Sequence, residues 1–269
     1  MLVDFTKMNG AGNDFILMDN RDEKLRPDPG QIARLCDRHA GVGADGLILL
    51  KPAPLGSADW AWDFYNSDGS NAEMCGNGAR CFARYVARLT GRAQAFTFAT
   101  RAGVIAAAFD GELVTVGLTP PRDLRLNETL ALASGKVTLH SLDTGVPHAV
   151  MFVADTDQAM VQSLGQEIRR HPHFAPRGTN VNFVQLRGAE GIRVRTYERG
   201  VEGETLACGT GVTASALIAA ELHGLTSPVR VRVQSGGFLQ VSFEKNGGQF
   251  RNARLTGPAD FVFDGKIRL

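Results

Sequence analysis

Cys75-Gly-Asn-Gly78 and Cys208-Gly-Thr-Gly211 present one short pattern twice, a thiol followed by two glycines that flank a polar residue. Each is succeeded by a stretch of helical character, so each cysteine falls at the mouth of a helix. A helix start offers unpaired backbone N–H groups and a partial positive charge, which stabilise a thiolate and attract a carboxylate. Flanking glycines remove the Cβ atoms that would keep a ligand from those N–H groups. Two such mouths turned toward one small substrate would put a sulfur on each side of an α-carbon. That is the arrangement for two-base stereoinversion: one thiolate removes a proton from one face while the opposing thiol delivers one to the other. Two small buried cysteines that share a repeat are the plain alternative. Repetition of the whole Cys-Gly-x-Gly pattern at matching helix starts favours the chemical reading.

The elements that must position these thiols are themselves duplicated. Residues 75–91 lie over 208–224 without a gap, at an offset of 133. The likeness extends outward: Tyr65 and Tyr197 precede the two cysteines, Arg101-Ala-Gly-Val faces Gln234-Ser-Gly-Gly, and Leu118-Thr-Pro answers Leu255-Thr-Gly-Pro. Phe82, Tyr85, Val86 and Leu89 fall at i, i+3, i+4 and i+7, with Arg80, Arg84 and Arg88 on the other side, which predicts an amphipathic helix ending at Gly91. The second copy, Val212 to His223, is apolar nearly all round, as for a helix enclosed by sheet. Short runs rich in Val, Ile, Leu and Phe surround both, so the expected class is α+β in two halves. The first half takes residues 1–120 together with a returning strand at about 260–269, and the second takes 121–259, with Thr119-Pro-Pro-Arg-Asp as the linker.

Composition narrows the partners. The 269 residues carry 29 Lys+Arg against 28 Asp+Glu, so neither a basic footprint for nucleic acid nor an acidic tail is present. No apolar run approaches the roughly 18 residues that cross a bilayer. Met1 to Lys7 lacks the pattern of a secretory leader, and four cysteines in a chain of this length do not form a disulfide framework, which points to a reducing, cytoplasmic setting. Cys36 and Cys81 have no glycine context and are expected to pack in the core. No close pairing of ligands suggests zinc. Gly41-Val-Gly-Ala-Asp-Gly46 matches a dinucleotide fingerprint by letter, but a helical segment precedes it and a strand follows, the reverse of what that site needs.

Polar residues gather near the two cysteine segments or in other loops: Asn13, Asp14, Asn66, Asn71, Glu73, His148, Asn180, Asn182, Glu198 and Arg199. Asn66 and Arg199 each stand nine residues ahead of their cysteine. Arg199 suits a bidentate carboxylate contact, asparagines can meet ammonium and carboxylate groups alike, and His148 and Glu198 are candidates to tune the protonation of the sulfurs.

Asn9-Gly-Ala-Gly-Asn-Asp-Phe15, the block from Tyr65 through Glu73-Met-Cys-Gly-Asn-Gly-Ala-Arg80, Gly178-Thr-Asn-Val-Asn-Phe183 and Tyr197-Glu-Arg-Gly through Cys208-Gly-Thr-Gly211 together resemble the diaminopimelate epimerase family over the whole chain. The resemblance implies two pseudo-symmetric domains, each a mostly antiparallel sheet or barrel wrapped around a central helix. It further implies exchange between LL- and meso-diaminopimelate, in lysine and peptidoglycan precursor synthesis, with no cofactor and no metal. Carried over by position, Cys75 and Cys208 are the acid–base pair. Gly76, Asn77, Gly209 and Thr210 hold the reacting α-carboxylate, and Asn13, Asn66, Asn180, Glu198 and Arg199 receive the distal amino-acid end. Gly46 and Val146 depart from the family pattern, where many members carry Gln and Asn. A racemase of another amino acid on the same fold, such as histidine, therefore stays open.

Two further readings compete. A phenazine-biosynthesis-type isomerase would share the architecture, but those relatives lack the paired cysteines. A thiol redox switch, from a different class, would join Cys75 to Cys208, although the two do not form a Cys-x-x-Cys pair. A small amino-acid substrate is the expected partner, and a homodimer is compatible with the sequence.

Overall fold

The computed structural model describes residues 1–72, 74–92 and 94–269. The chain divides into two compact units, residues 1–117 with 257–269, and residues 118–256.

In the first unit, β1 (Leu2–Gly10) and β2 (Asn13–Asp19) form a hairpin whose turn holds Ala11 and Gly12 at φ 65° and 116°. Such left-handed backbone suits glycine at the second position. Helix α1 (Pro29–Cys36) starts on a capping box in which Asp28 and Gln31 satisfy each other's backbone N–H, with a proline in the first turn. It leads into β3 (Gly46–Lys51), which is parallel to β2 and buried over almost its whole length. Gly41 lies in the connection between α1 and β3, so helix precedes and strand follows the glycine run. β4 (Trp60–Asn66) returns antiparallel to β3, helix α2 (Gly76–Thr90) crosses over, and β5 (Phe96–Thr100) runs parallel to β4. β6 (Gly103–Asp110) and β7 (Leu113–Gly117) continue antiparallel.

The second unit repeats this order. β8 (Arg122–Leu132) and β9 (Gly135–Asp143) form a hairpin, and β10 (Pro147–Phe152) follows antiparallel. Helix α3 (Val161–Arg169) connects to β11 (Asn180–Leu186), parallel to β10, and β12 (Ile192–Glu198) is antiparallel to β11. After the short β13 (Gly203–Thr205), helix α4 (Gly209–His223) crosses to β14 (Val229–Arg232), parallel to β12. β15 (Phe238–Asn246) and β16 (Gln249–Gly257) close the series antiparallel. The last strand, β17 (Asp260–Arg268), pairs antiparallel with β1. Thus β17–β1 corresponds to β8–β9, each unit places its two parallel pairs around its two helices, and the fold is the two-domain, pseudo-symmetric α+β class expected from the resemblance.

Each central helix packs against the strands of its own unit, α2 on β1, β2, β3 and β7, and α4 on β9 to β12, β14 and β15. Both end at a left-handed glycine, Gly91 at φ 66° and Gly224 at φ 69°. The fillings differ. Around α2 the core is aromatic, with Trp62, Phe64, Phe82, Phe96 and Phe98 in edge and tilted ring contacts. Helix α4 presents Ala214, Ala216, Leu217, Ile218 and Ala219, all fully buried, in keeping with its all-round apolar sequence.

Two positions on α2 differ from the amphipathic reading. Leu89 is 37% exposed in the last turn, whereas Arg80, placed on the polar face, is fully buried. The physical reason for the second is local: each nitrogen of the Arg80 guanidinium finds a carbonyl acceptor inside the unit, which offsets most of the cost of its burial.

Candidate functional site

Cys75 is the residue before the first turn of α2, with extended backbone (φ −142°, ψ 121°), and its Sγ accepts a hydrogen bond from the Gly78 N–H at 3.5 Å. A thiol thus takes the place usually filled by a serine or aspartate oxygen. Asn77, fully buried, donates from Nδ2 to Asn13 Oδ1 at 2.5 Å, and Asn13 in turn donates to Asp45 at 2.9 Å. Asn13 opens β2 and so reaches the helix mouth from the adjacent strand end. Beside it Lys7, Asp14, Arg38 and Asp45 form a compact set of two cations and two carboxylates. Burial would raise the Asp14 carboxyl, but hydrogen bonds from Arg38 and Lys7 outweigh it and bring it down to about 2. Asn66 closes β4, and its side chain donates to Ser70 Oγ at 2.9 Å. Glu73 lies outside the described residues.

Arg80 sits beneath this mouth. Its Nη1 donates to Gly76 O at 3.1 Å, Nη2 to Asn77 Oδ1 at 2.9 Å and Gly10 O at 3.3 Å, and Nε to Pro258 O at 3.2 Å. Nothing in the periodicity marked it as part of the site; its place four residues after Gly76, within reach of that carbonyl, was the available signal.

Cys208 occupies the corresponding position before α4 (φ −117°, ψ 106°) and is 6% exposed. Its Sγ lies 3.5 Å from Thr210 Oγ1, and Thr144 Oγ1 donates to Thr210 O at 3.0 Å. Asn182 fills the space under the first turn: it accepts from Thr196 Oγ1 at 2.9 Å and donates to Ala149 O at 3.1 Å and to His148 Nδ1 at 3.2 Å. Gly211 makes that approach feasible, because a Cβ there would collide with Asn182 Oδ1 and stand 3.3 Å from Cys208 Sγ.

The remaining residues of this unit meet at one end of its sheet. His148 is paired in register with Asn180 across β10 and β11, and Glu198 ends β12. Asn180 Oδ1 accepts from the Arg199 N–H at 2.7 Å, the Arg199 guanidinium donates to Arg177 O at 3.2 Å, and Thr205 Oγ1 donates to a Glu198 carboxylate oxygen at 2.9 Å. His148 is 1% exposed, and burial, helped by the charge of Arg199, pushes its imidazole down to about 3 despite Asp143 nearby. It is therefore neutral near pH 7, and the Asn182 amide donating to Nδ1 assigns the ring proton to Nε2.

All four cysteines are thiols. Burial lifts Cys36 and Cys81 to about 12, so both are chemically quiet, as expected of packing residues. Among the described residues no grouping of three or more His, Cys, Asp or Glu is suited to a metal ion, and no helix is long and apolar enough to cross a membrane.

The arrangement of two units, each a sheet around a helix, is shared with solved structures. A *Bacillus anthracis* phenazine biosynthesis protein of the PhzF family aligns over 100% of both chains with a TM-score of 0.78 at 14% identity. A hydroxyproline epimerase from *Agrobacterium vitis* aligns over 99% of this chain and 92% of its own with a TM-score of 0.74 at 18% identity. These place the chain in a fold class that includes amino-acid epimerases. By sequence it matches the diaminopimelate epimerase family over residues 5–122 and 140–262, through both cysteine mouths. It is 44% identical to the diaminopimelate epimerase of *Aquifex aeolicus* across 98% of both chains, and 41% identical to that of *Chlorobaculum tepidum* across 97% of this chain and all of the relative. The chain belongs to the diaminopimelate epimerase family.

Proposed function

We propose that this protein is a diaminopimelate epimerase that interconverts the LL and meso isomers with its own thiols as acid and base and no added cofactor. The observation that carries the reading is the pair of cysteines at equivalent helix starts, each followed by the glycines that open the backbone N–H groups, in a chain that matches the family through both. Cys75 and Cys208 serve opposite faces of one α-carbon. Gly76, Asn77, Gly209 and Thr210 take the α-carboxylate, and Asn13, Asn66, Asn180, Glu198 and Arg199 take the distal amino-acid group.

An amino-acid α-proton is far less acidic than a thiol, whose ordinary pKa is about 8.5, so the thiolate needs help. N–H groups and helix dipoles aimed at the carboxylate stabilise the charge that spreads onto it as the proton leaves, and they do so most strongly where water is excluded. His148, buried and neutral, acts here as a hydrogen-bonding support rather than as a proton store.

Position 46 bears on substrate choice. A Cβ there would stand 2.5 Å from Tyr65 O and 3.0 Å from the Phe64 ring, so the glutamine of many relatives does not fit this β3–β4 spacing and the distal contacts must be made by other groups. The test is incubation of the purified protein, without cofactor, with LL-diaminopimelate and a panel of single-enantiomer amino acids in deuterated water. Inversion and α-deuteration of diaminopimelate above all others is expected. Preference for a different amino acid would replace the substrate and keep the chemistry; no exchange on any would reject the reading.

A further inference from the structure

Arg80 is a buried cation that the proposed reaction does not yet use. It is fully buried, its acceptors Gly10 O, Gly76 O, Pro258 O and Asn77 Oδ1 are neutral oxygens, and among the described residues no carboxylate lies within ion-pair distance of it. Asp260 acts on it only at longer range and pairs instead with Arg84 at 3.9 Å. Burial draws the guanidinium down to about 10, which leaves it charged at neutral pH. The position equivalent to Arg80 at the offset of 133 is Thr213, whose Oγ1 donates to Gly209 O at 2.9 Å just as Arg80 Nη1 donates to Gly76 O. Both halves therefore bond the same carbonyl from the same station, but one does so with a charge and the other with a hydroxyl.

We propose that Arg80 is the positioning residue that makes the two thiols inequivalent: it fixes Asn77 and the first turn of α2 and biases Cys75 toward the thiolate in the enzyme without substrate, while the two thiols exchange the base and acid roles with the direction of turnover. The inference builds on the two-thiol reading above. Among the described residues, the other charged groups of this unit near the mouth are largely paired with one another. Lys7, Asp14, Arg38 and Asp45 balance two against two, Arg84 faces Asp260, and Cys81 stays protonated with its thiol at about 12. Glu73, two residues ahead in sequence, lies outside the described residues. A charge held in a poorly solvated site acts more strongly than one in water, and a cation close to a thiol favours its ionised form.

The test is the pH dependence of iodoacetamide alkylation, read by peptide mass spectrometry, with Cys75 followed in Cys208→Ala and Cys208 followed in Cys75→Ala. The expected result is half-ionisation of Cys75 at least about one pH unit, a tenfold change in equilibrium, below that of Cys208. Arg80→Met should raise the Cys75 value by about one unit and leave that of Cys208 unmoved, while Arg80→Lys should retain part of the shift. A Cys75 profile unchanged by a folded Arg80→Met would overturn the inference. If that variant does not fold, a Cys208 that ionises at the same pH as Cys75 or lower does so equally. Alkylation reads the thiols whatever the substrate: a thiol gap without diaminopimelate turnover sinks the functional reading alone, and turnover without the gap sinks this inference alone.

Discussion

The first turn of α2 is held from below by an arginine that bonds Gly76 O and Asn77, whereas the first turn of α4 is bonded by the hydroxyls of Thr213 and Thr144, with the Asn182 carboxamide lying close against Gly211. Their backbones agree closely: an extended cysteine at the start, glycines in the first turn, a left-handed glycine at the end. Duplication has kept what the main chain must do and has let the supporting side chains diverge. That is the pattern expected if the two thiols, which trade base and acid roles with the direction of turnover, start from unequal protonation in the enzyme without substrate.

The largest expected effect breaks the pair outright. Cys75→Ala and Cys208→Ala should each lower epimerisation by about 10³-fold, within the range of about 10²–10⁴ that one positioned acid or base contributes. Polarimetry or chiral chromatography of the product measures it. Near-equal loss from either side supports two cooperating thiols, and a variant that keeps most of its rate identifies a thiol outside the chemistry.

A second comparison uses the glycines at the third residue of each helix. Gly211→Ala forces Asn182 away from its bonds to Thr196 and His148 and should cost about 2 kcal/mol, seen as a fall of several degrees in Tm. Gly78→Ala meets only the end of Ile48 at 3.3 Å and the Phe15 ring at 3.5 Å, and the helix gains about 0.5–1 kcal/mol in propensity, so its Tm should hardly move. Equal losses at the two sites would mean that the close approach of Asn182 is not what requires Gly211.

Acid should separate the units more gently. His148 has a folded pKa of about 3 against an ordinary value of 6.5, so its unfolded form binds a proton first; the stability it contributes is present above pH 6.5 and is lost as pH falls toward about 3. Asp14 in the first unit, at about 2 against 3.8, loses its contribution only below about pH 4. Amide hydrogen exchange followed from pH 7 to 4.5 should show the second unit loosening first, with a slope of about 1 kcal/mol per pH unit from His148 that His148→Gln removes.

Much of the fold was legible because it is written twice. The repeat placed both central helices and their glycine ends, and the all-round apolar character of 212–223 marked α4 as enclosed. Helix α3 was not foreseen: it starts on Met160 without a side-chain cap and carries Gly165 at its centre, where a Cβ would come 2.6 Å from the Tyr197 Cβ. Tertiary packing, not local propensity, places that helix. Leu89 and Arg80 show the converse limit of helical periodicity, which assigns a face but does not know what lies against it. An arginine whose neighbours are carbonyl oxygens can be buried, and a leucine in a last turn can be left outside. At the candidate site, the placement of the cysteines and glycines at the two helix starts was readable because it is set locally. Asn182 was visible only as one of many loop asparagines, since its partners Thr196, His148 and Ala149 come from neighbouring strands.

The most direct measurement is the early time course of one diaminopimelate isomer in deuterated water, with the α-position of both substrate and product analysed by mass spectrometry. Two thiols acting from opposite faces predict that the inverted product carries deuterium from its first appearance while the unreacted isomer still holds its original hydrogen. Product that keeps the substrate's hydrogen, passed across by a single base, would contradict the account.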